Sequence, residues 1–318
     1  MHKSTKIWLV IAIILIFIGA GVFSAVMAAN GWDFRDLSTT DYKTNTYTSF
    51  ARFQNISINT ETADISFVFT ESDCSKVVCY EMEKALHTVS FDDGTLTINQ
   101  NYQRMWYDHL GINFDMPNIT VYLPESAYAS LRITNTTGDI VIPADLQFDS
   151  IIISATTGDI DSNATVTEEI NIETTTGDIK MENAHCGDLT ITATTGKTQI
   201  SNVTCNNDLH LNVSTGKMNL TNVNCKNFRT DGTTGDISMN NVIVEKQMLI
   251  NRTTGDVKFK NCDASNIQIQ LNTGDITGNF LTGKIFTAES STGKITVPEN
   301  TPGGICVIST YTGDIKIT

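Results

Sequence analysis

The chain has 318 residues, and its acidic side chains outnumber the basic ones 35 to 21, for a net charge of −14. That balance excludes a nucleic-acid binder, which needs a cationic footprint. Apolar residues make up 40% of the chain, enough for a packed core, which excludes general disorder. Only 5 residues are proline, while Gly, Thr and Asn are abundant, a mixture that suits a β protein with regular turns.

The first predicted element is the apolar run from Ile7 to Ala29, 23 residues long. At 1.5 Å per residue it reaches about 34 Å, enough to cross a hydrocarbon core. Lys3 and Lys6 precede it, and Asp33 and Asp36 follow it. The positive-inside rule then places residues 1–6 in the cytoplasm as a short tail and everything after residue 30 outside. The expectation is a single-pass cell-membrane protein with a signal anchor over 7–29. A cleaved signal peptide is the competing reading, with Val26-Met27-Ala28 as its cleavage site. Its apolar core would be only 7–15 residues long, and this run is longer.

Residues 30–46 read as a polar stalk, and 47–130 as an irregular, strand-rich cap. Strand-like stretches there include Asp64-Ile65-Ser66-Phe67, Thr95-Leu96-Thr97-Ile98 and Ile119-Thr120-Val121-Tyr122-Leu123, with Asp93-Gly94 as a hairpin turn. Thr62-Ala63-Asp64-Ile65 looks like a degenerate form of the repeat described next. Cys74 and Cys79 could bridge a short loop in an oxidising exterior. Tyr102, Trp106 and Tyr107 lie in an aromatic-rich segment. They read either as a plug for an open solenoid end or as a surface for a partner protein or glycan.

From residue 131 to 318 the chain is a repeat. Thr-Gly-Asp or Thr-Gly-Lys recurs with glycines at 138, 158, 177, 196, 216, 235, 255, 274, 293 and 313, in steps of 19 or 20. Two and four residues after each glycine the columns are mostly apolar, as at Ile179 and Met181, with polar residues such as Lys180 between them. Seven and five residues before it the same alternation appears, as at Ile170 and Ile172. Each unit therefore holds two short strands of period two and two bends. A lone unit cannot bury its apolar face, but stacked units can. The predicted fold is all-β: a parallel β-solenoid of 19–20-residue coils, right-handed by the usual crossover rule, rising about 4.8 Å per coil. Asn183, Asn202, Asn222, Asn241 and Asn261 are expected at left-handed bends, with their amides bonded along the stack. The threonine before each glycine is expected at an inner corner. Cys186, Cys205 and Cys225 fall on one column and read as stacked small hydrophobes.

Thr-Gly-Asp-Ile repeats, the Asp93-Gly94-Thr95-Leu96 turn and the Ile119-Thr120-Val121-Tyr122-Leu123-Pro124 strand resemble the bacterial "putative adhesin" β-strand-repeat family. That group of domains of unknown function includes LiaG-like envelope proteins. The resemblance spans roughly residues 50–318. It implies anchoring at the envelope of Gram-positive-type bacteria, in some members with a link to envelope-stress operons, and it supplies no catalytic residues. No Leu-Pro-x-Thr-Gly sorting signal occurs, so wall attachment by that route is not implied.

Little chemistry is legible. Gly278 to Lys284 has phosphate-loop spacing, but Ile285 stands where a Ser or Thr would hold magnesium. The histidines, at 2, 87, 109, 185 and 210, show no ligand spacing. One outward column reads Asp139, Asp159, Asp178, Lys197, Lys217, Asp236, Asp256, Asp275, Lys294 and Asp314. Stacked aspartates repel one another or attract a cation, which makes Asp236, Asp256 and Asp275 calcium candidates. No cofactor and no enzymatic activity are expected. The favoured function is a membrane-anchored, extracytoplasmic binding or scaffold protein, adhesin-like or envelope-associated, whose partner is an envelope protein or a glycan. The alternatives are a regulatory partner of a membrane envelope-stress sensor and a carbohydrate-active β-helix enzyme. The final strand, Asp314 to Thr318, lacks a polar cap, so weak self-association through that end is expected.

Overall fold

A computed structural model describes residues 3–29, 31–32, 41–101, 115–125 and 127–318. Helix α1 spans Lys3–Ala29. Its apolar side chains, including Val10, Ile14, Phe17 and Ile18, face outward, and the stretch Ile7–Ala29 is long and apolar enough to cross a membrane.

The remaining elements are strands. The first seven are β1 (Tyr42–Ser49), β2 (Asn55–Thr62), β3 (Asp64–Phe69), β4 (Ser75–Met82), β5 (His87–Asp92), β6 (Thr95–Gln100) and β7 (Asn118–Leu123). The regular coils begin with β8 (Ala127–Thr137), β9 (Ile140–Ile142), β10 (Gln147–Thr157), β11 (Ile160–Ser162), β12 (Thr165–Thr176) and β13 (Ile179–Glu182). They continue through β14 (His185–Cys186), β15 (Asp188–Thr195), β16 (Thr198–Cys205), β17 (Asp208–Thr215), β18 (Met218–Thr234), β19 (Ile237–Thr254) and β20 (Val257–Thr273). The last are β21 (Ile276–Phe280), β22 (Lys284–Ser290), β23 (Ile295–Thr296), β24 (Gly304–Thr312) and β25 (Ile315–Ile317).

Like strands pair in parallel and in register: Ile151 lies between Leu131 and Ile170, and Ile160 between Ile140 and Ile179. The fold is a parallel β-solenoid. Its core is the set of columns expected from the alternation, with Ile170, Ile172, Ile179 and Met181 all buried. Each regular coil turns at its glycine because nothing larger fits. At Gly158 φ is +137°, and an added Cβ would stand 2.1 Å from the Gly138 carbonyl oxygen. Where this column begins, at Ala63, φ is not positive and the methyl is buried. Thr62 pairs with Thr137 and Ile65 with Ile140, so the degenerate Thr-Ala-Asp-Ile segment forms a coil of the stack.

Three expectations change. The units have a third short side: Cys186 pairs with Cys205, and Val203 with Val223, beyond the asparagine bends. The motif threonines do not lie at an inner corner, since Thr157, Thr176, Thr215 and Thr254 are exposed. The strand's alternation ends three residues before the glycine, where Thr174 and Val213 are the last inward side chains, and the chain then swings outward. The final strand is not the end of the stack. β24 lies between β20 and β22, and β25 lies between β21 and β23, so the chain's last coil is interposed between its two predecessors. Ile315 and Ile317 are therefore buried, whereas Ile295, which occupies the same repeat position as Ile315, is 40% exposed.

The other end is built the same way. β2 pairs with both β6 and β8, and β3 with both β7 and β9, so the first coil is also interior. Beyond it, β5 closes antiparallel on β6, and β4 closes antiparallel on both β7 and β1. β1 starts at Tyr42, inside the stretch read as stalk.

Candidate functional site

Two polar ladders run along the stack. In the first, the motif aspartates accept backbone N–H groups of the neighbouring coil. Asp139 N–H donates to Asp64 Oδ1 at 2.9 Å, Asp159 to Asp139 at 2.8 Å, Asp178 to Asp159 at 2.7 Å and Lys197 to Asp178 at 2.8 Å. Toward the other end Asp256 donates to Asp236 at 3.2 Å, Asp275 to Asp256 at 3.0 Å, Asp314 to Asp275 at 2.8 Å and Lys294 to Asp314 at 2.7 Å. The column is thus more than a row of repelling charges, because each carboxylate ties down a backbone donor at a coil corner. The calcium candidates Asp236, Asp256 and Asp275 are consecutive members. Their Oδ1 atoms serve the ladder, while Asp236 Oδ2 faces Lys217 Nζ at 3.3 Å and Asp256 Oδ2 faces Lys258 Nζ at 3.9 Å. The Asp256 N–H, aided by Lys217, holds the Asp236 carboxyl below the usual carboxylate range.

The second ladder is the asparagine bend. Asn183, Asn202, Asn222, Asn241 and Asn261 all have φ of +53° or +54°. Asn202 Nδ2 donates to Asn183 Oδ1 at 3.0 Å, Asn222 to Asn202 at 2.8 Å and Asn241 to Asn222 at 3.0 Å. The first four side chains therefore add a row of amide bonds beside the backbone ladders, while Asn261 Oδ1 accepts from Asn279 Nδ2 at 3.2 Å.

A different chemistry sits in the N-terminal cap. Alternation along β4 points Val77, Cys79 and Glu81 inward, and the following turn carries His87 back to meet them. Cys79, Glu81 and His87 are all buried, each with a ligand-type atom within 4.8 Å of the other two. His87 Nδ1 lies 2.6 Å from Glu81 Oε2. The His87 backbone N–H donates to the same oxygen at 2.6 Å, and Asn45 Nδ2 donates to Glu81 Oε1 at 2.5 Å. Burial alone would raise the Glu81 carboxyl, but these hydrogen bonds outweigh it and hold it below its usual range. Burial, with the Glu81 charge beside it, pushes the Cys79 thiol up to about 12. Among the described residues this is the group able to hold a metal. Linear spacing did not reveal it, because His87 arrives through a turn. The available signal was Glu81 in the inward column that also holds Val77 and Cys79.

The other sequence-derived sites fare differently. Tyr102, Trp106 and Tyr107 lie outside the described residues. Cys74 and Cys79 are both free thiols. Cys74 sits beside Ser72 Oγ, 3.3 Å away, whereas Cys79 is in mid-strand and points into the core. Five residues of extended chain separate them by roughly 16 Å, too far for a bridge. Cys186, Cys205 and Cys225 are buried and free, with Cys186 Sγ 3.2 Å from Cys205 Sγ. Lys284, in the phosphate-loop-like spacing, is buried against Asp263 Oδ1 at 2.5 Å and Thr282 Oγ1 at 2.6 Å.

The family model described as Toastrack DUF4097 matches residues 53–211 and again 205–318, which together span β2 to β25. The chain belongs to the Toastrack DUF4097 family. Comparison with curated proteins gives no match. Among solved structures, the chain is similar to a "putative lipid binding protein" from Parabacteroides distasonis. The identity is 13% and the TM-score 0.48, covering 76% of this chain and 95% of that one. It is also similar to a "putative adhesin" from the same species, at 12% identity and a TM-score of 0.44, covering 88% and 98% of the two chains. A further "putative adhesin", from Bacteroides fragilis, is 15% identical with a TM-score of 0.39, covering 87% and 97%.

Proposed function

We propose that this Toastrack protein is a single-pass membrane-anchored rod of the cell envelope. In this reading α1 spans the membrane with the N-terminus in the cytoplasm, and the solenoid stands outside as a non-enzymatic scaffold. It presents its repeated polar corners to an envelope protein or a glycan. The carrying observation is the joining of an outward-facing apolar helix, Ile7–Ala29, to a stack whose corner groups repeat in ladders. A 23-residue apolar helix without protein cover needs lipid around it. A ladder of identical groups spaced by one coil suits a polymer or an extended partner better than a small molecule. The chain enters the stack at β1, an outermost strand of the N-terminal cap, so that end of the rod faces the membrane.

The test is cysteine labelling of intact cells with a membrane-impermeant maleimide, in a Cys74→Ser background. Ser38→Cys should label in intact cells, and Ser4→Cys only after permeabilisation. The reverse pattern overturns the orientation, and a mature protein lacking the Ser4→Cys label altogether shows a cleaved leader. Crosslinking and pulldown with the native helix, then with an unrelated helix in its place, identifies the binding element. Partners retained after the swap support the solenoid as that element. Partners lost with the native helix support the regulatory reading, and polysaccharide turnover by the purified protein overturns the non-enzymatic one.

A further inference from the structure

The hydrogen bonds of the buried group in the cap call for something positive between His87 and Glu81. Gln100 Oε1 accepts the Glu61 N–H at 2.6 Å and the Thr60 hydroxyl at 3.2 Å. Gln100 Nε2 is directed at the Ala85 carbonyl, 3.5 Å away, which fixes which end of the amide faces Thr60. Thr60 has therefore used its single proton as a donor. His87 Nε2, 2.9 Å from Thr60 Oγ1, must then carry a hydrogen and donate to it. Nδ1 is left facing Glu81 Oε2 at 2.6 Å, lone pair against carboxylate, unless something positive lies between them. A proton is one such occupant, shared between the carboxylate and the imidazole in a fully buried pair. The other is a metal cation, and Cys79 Sγ stands beside the gap as a third donor.

We propose that Cys79, Glu81 and His87 form a binding site for one divalent cation of the zinc class. A thiolate, an imidazole nitrogen and a carboxylate oxygen together suit zinc or cobalt, whereas calcium and magnesium take oxygen ligands alone. Ligand bonds of about 2.0–2.2 Å at tetrahedral angles separate nitrogen and oxygen by about 3.3–3.6 Å, so the His87–Glu81 pair, now at 2.6 Å, opens by about 0.7–1.0 Å. The outer contacts are those a metal-bound histidine uses. Nε2–H on Thr60 fixes the tautomer that frees Nδ1, and Asn45 orients the carboxylate from its far oxygen. The site lies apart from the ladders and does not depend on what the rod binds.

The probe is cobalt(II), then zinc(II), titrated into the reduced, metal-stripped full chain in detergent. One equivalent of cobalt should give a thiolate-to-metal charge-transfer band in the near ultraviolet, zinc should displace it, and either metal should raise the melting temperature. Cys79→Ser should abolish the band, and added metal should no longer raise its melting temperature. Thr60→Val, which removes only an outer contact, should weaken binding about 10–100-fold. Absence of the band in the wild type, or a band that persists in Cys79→Ser, overturns the assignment. If Glu81→Gln or His87→Ala does not fold, Cys79→Ser and Thr60→Val still decide.

Discussion

If the stack is held as close as the glycine column indicates, adding one methyl to it should be among the most damaging changes the chain can suffer. An alanine Cβ at Gly196 would stand 1.9 Å from the Gly177 carbonyl oxygen and 2.7 Å from its carbon, where ordinary contact begins at 3.4 Å. The obstacle is backbone, so no side chain can move aside, and two coils must part by about 1.5 Å. Such a shift breaks the corner bonds that cross the gap, Gly177 N–H to Thr195 O at 3.1 Å and Ile179 N–H to Lys197 O at 2.8 Å. Holding alanine at φ near +147° adds a strain of about 1–3 kcal/mol, and each buried hydrogen bond lost adds about 1–3 more. The expected cost is about 3–9 kcal/mol. The control is Gly94→Ala, in the β5–β6 turn, where φ is +70° but no atom lies within 4 Å of the added Cβ. There the strain stands alone, at about 1–2 kcal/mol. Thermal melts of the two full-length variants should differ widely, at about 2–4 °C per kcal/mol. Equal shifts would show that close approach of coils is not what excludes side chains from this column.

Ile179→Asp places a charge between Ile160 and Thr198 in a fully buried row and should cost several kcal/mol by denaturant melting, whereas Lys180→Gln, on the outward side, should leave the midpoint nearly unchanged. At the asparagine bend, Asn202→Gly should be milder than Asn202→Ala in the same melt. Both lose the amide bonds to Asn183 and Asn222, but only alanine is strained at φ +53°, by about 1–2 kcal/mol. Burial raises the Asp231 carboxyl, but hydrogen bonds from Asn251 and Arg229 outweigh it and hold the acid below its ordinary value. A lowered folded-state value gives stability that is present above the unfolded value, about 3.9, and is lost as the pH falls further. Melting of the wild type should therefore decline more steeply below pH 4 than that of Asp231→Asn. Deleting residues 304–318 should remove the layer between β21 and β23 and expose Ile267, Ile269 and Ile276, seen as dye binding and aggregation.

The regular coils were legible because one physical requirement, close stacking at the corner, wrote the same Thr-Gly pair ten times, and period-two alternation then assigned Ile179 inward and Lys180 outward. The asparagine bends were legible for the same reason, since few other residues tolerate that backbone region. The aspartate ladder was hidden because outward charge looks alike whether or not its oxygen accepts a neighbouring N–H. Period-two counting also misplaced the motif threonines, because it cannot register the corner at which the chain swings out. The cap cluster needed three contacts that no spacing encodes. Thr60 occupies the last inward column before Ala63, Glu81 lies on an antiparallel strand and His87 follows a turn. Order of stacking was equally invisible, because the repeats ending in Ile295 and Ile315 read alike until the neighbours of each are known.

That stacking order explains how a rod of parallel strands avoids open, sticky ends. A solenoid wound strictly in chain order would leave its first and last coils as bare edges, each a template for another chain. Here both terminal coils are interior: later strands cover the first coil, and an earlier coil covers the last. On one side β6 and β7 take the outer position and pass their own edges to the antiparallel strands β5 and β4, with β1 outermost on β4. On the other side β22 and β23 are outermost, and their edge is less well protected. Ile285 and Ile295 are exposed, and Phe286 and Ala288 are only partly covered. Buried Lys284 bonded to Asp263, the two-residue length of β23 and the flanking Pro298 and Pro302 all limit strand addition there. The self-association expected of the C-terminal strand therefore moves to this coil, which comes earlier in the chain. The face it offers is β22, whose alternate side chains include Ile285, Thr287 and Glu289 on the outside. A charge substituted at Ile285 leaves the core columns untouched, and one at Ile317 does not, so the two ends of the same sequence stretch have opposite tolerances for reasons of topology alone.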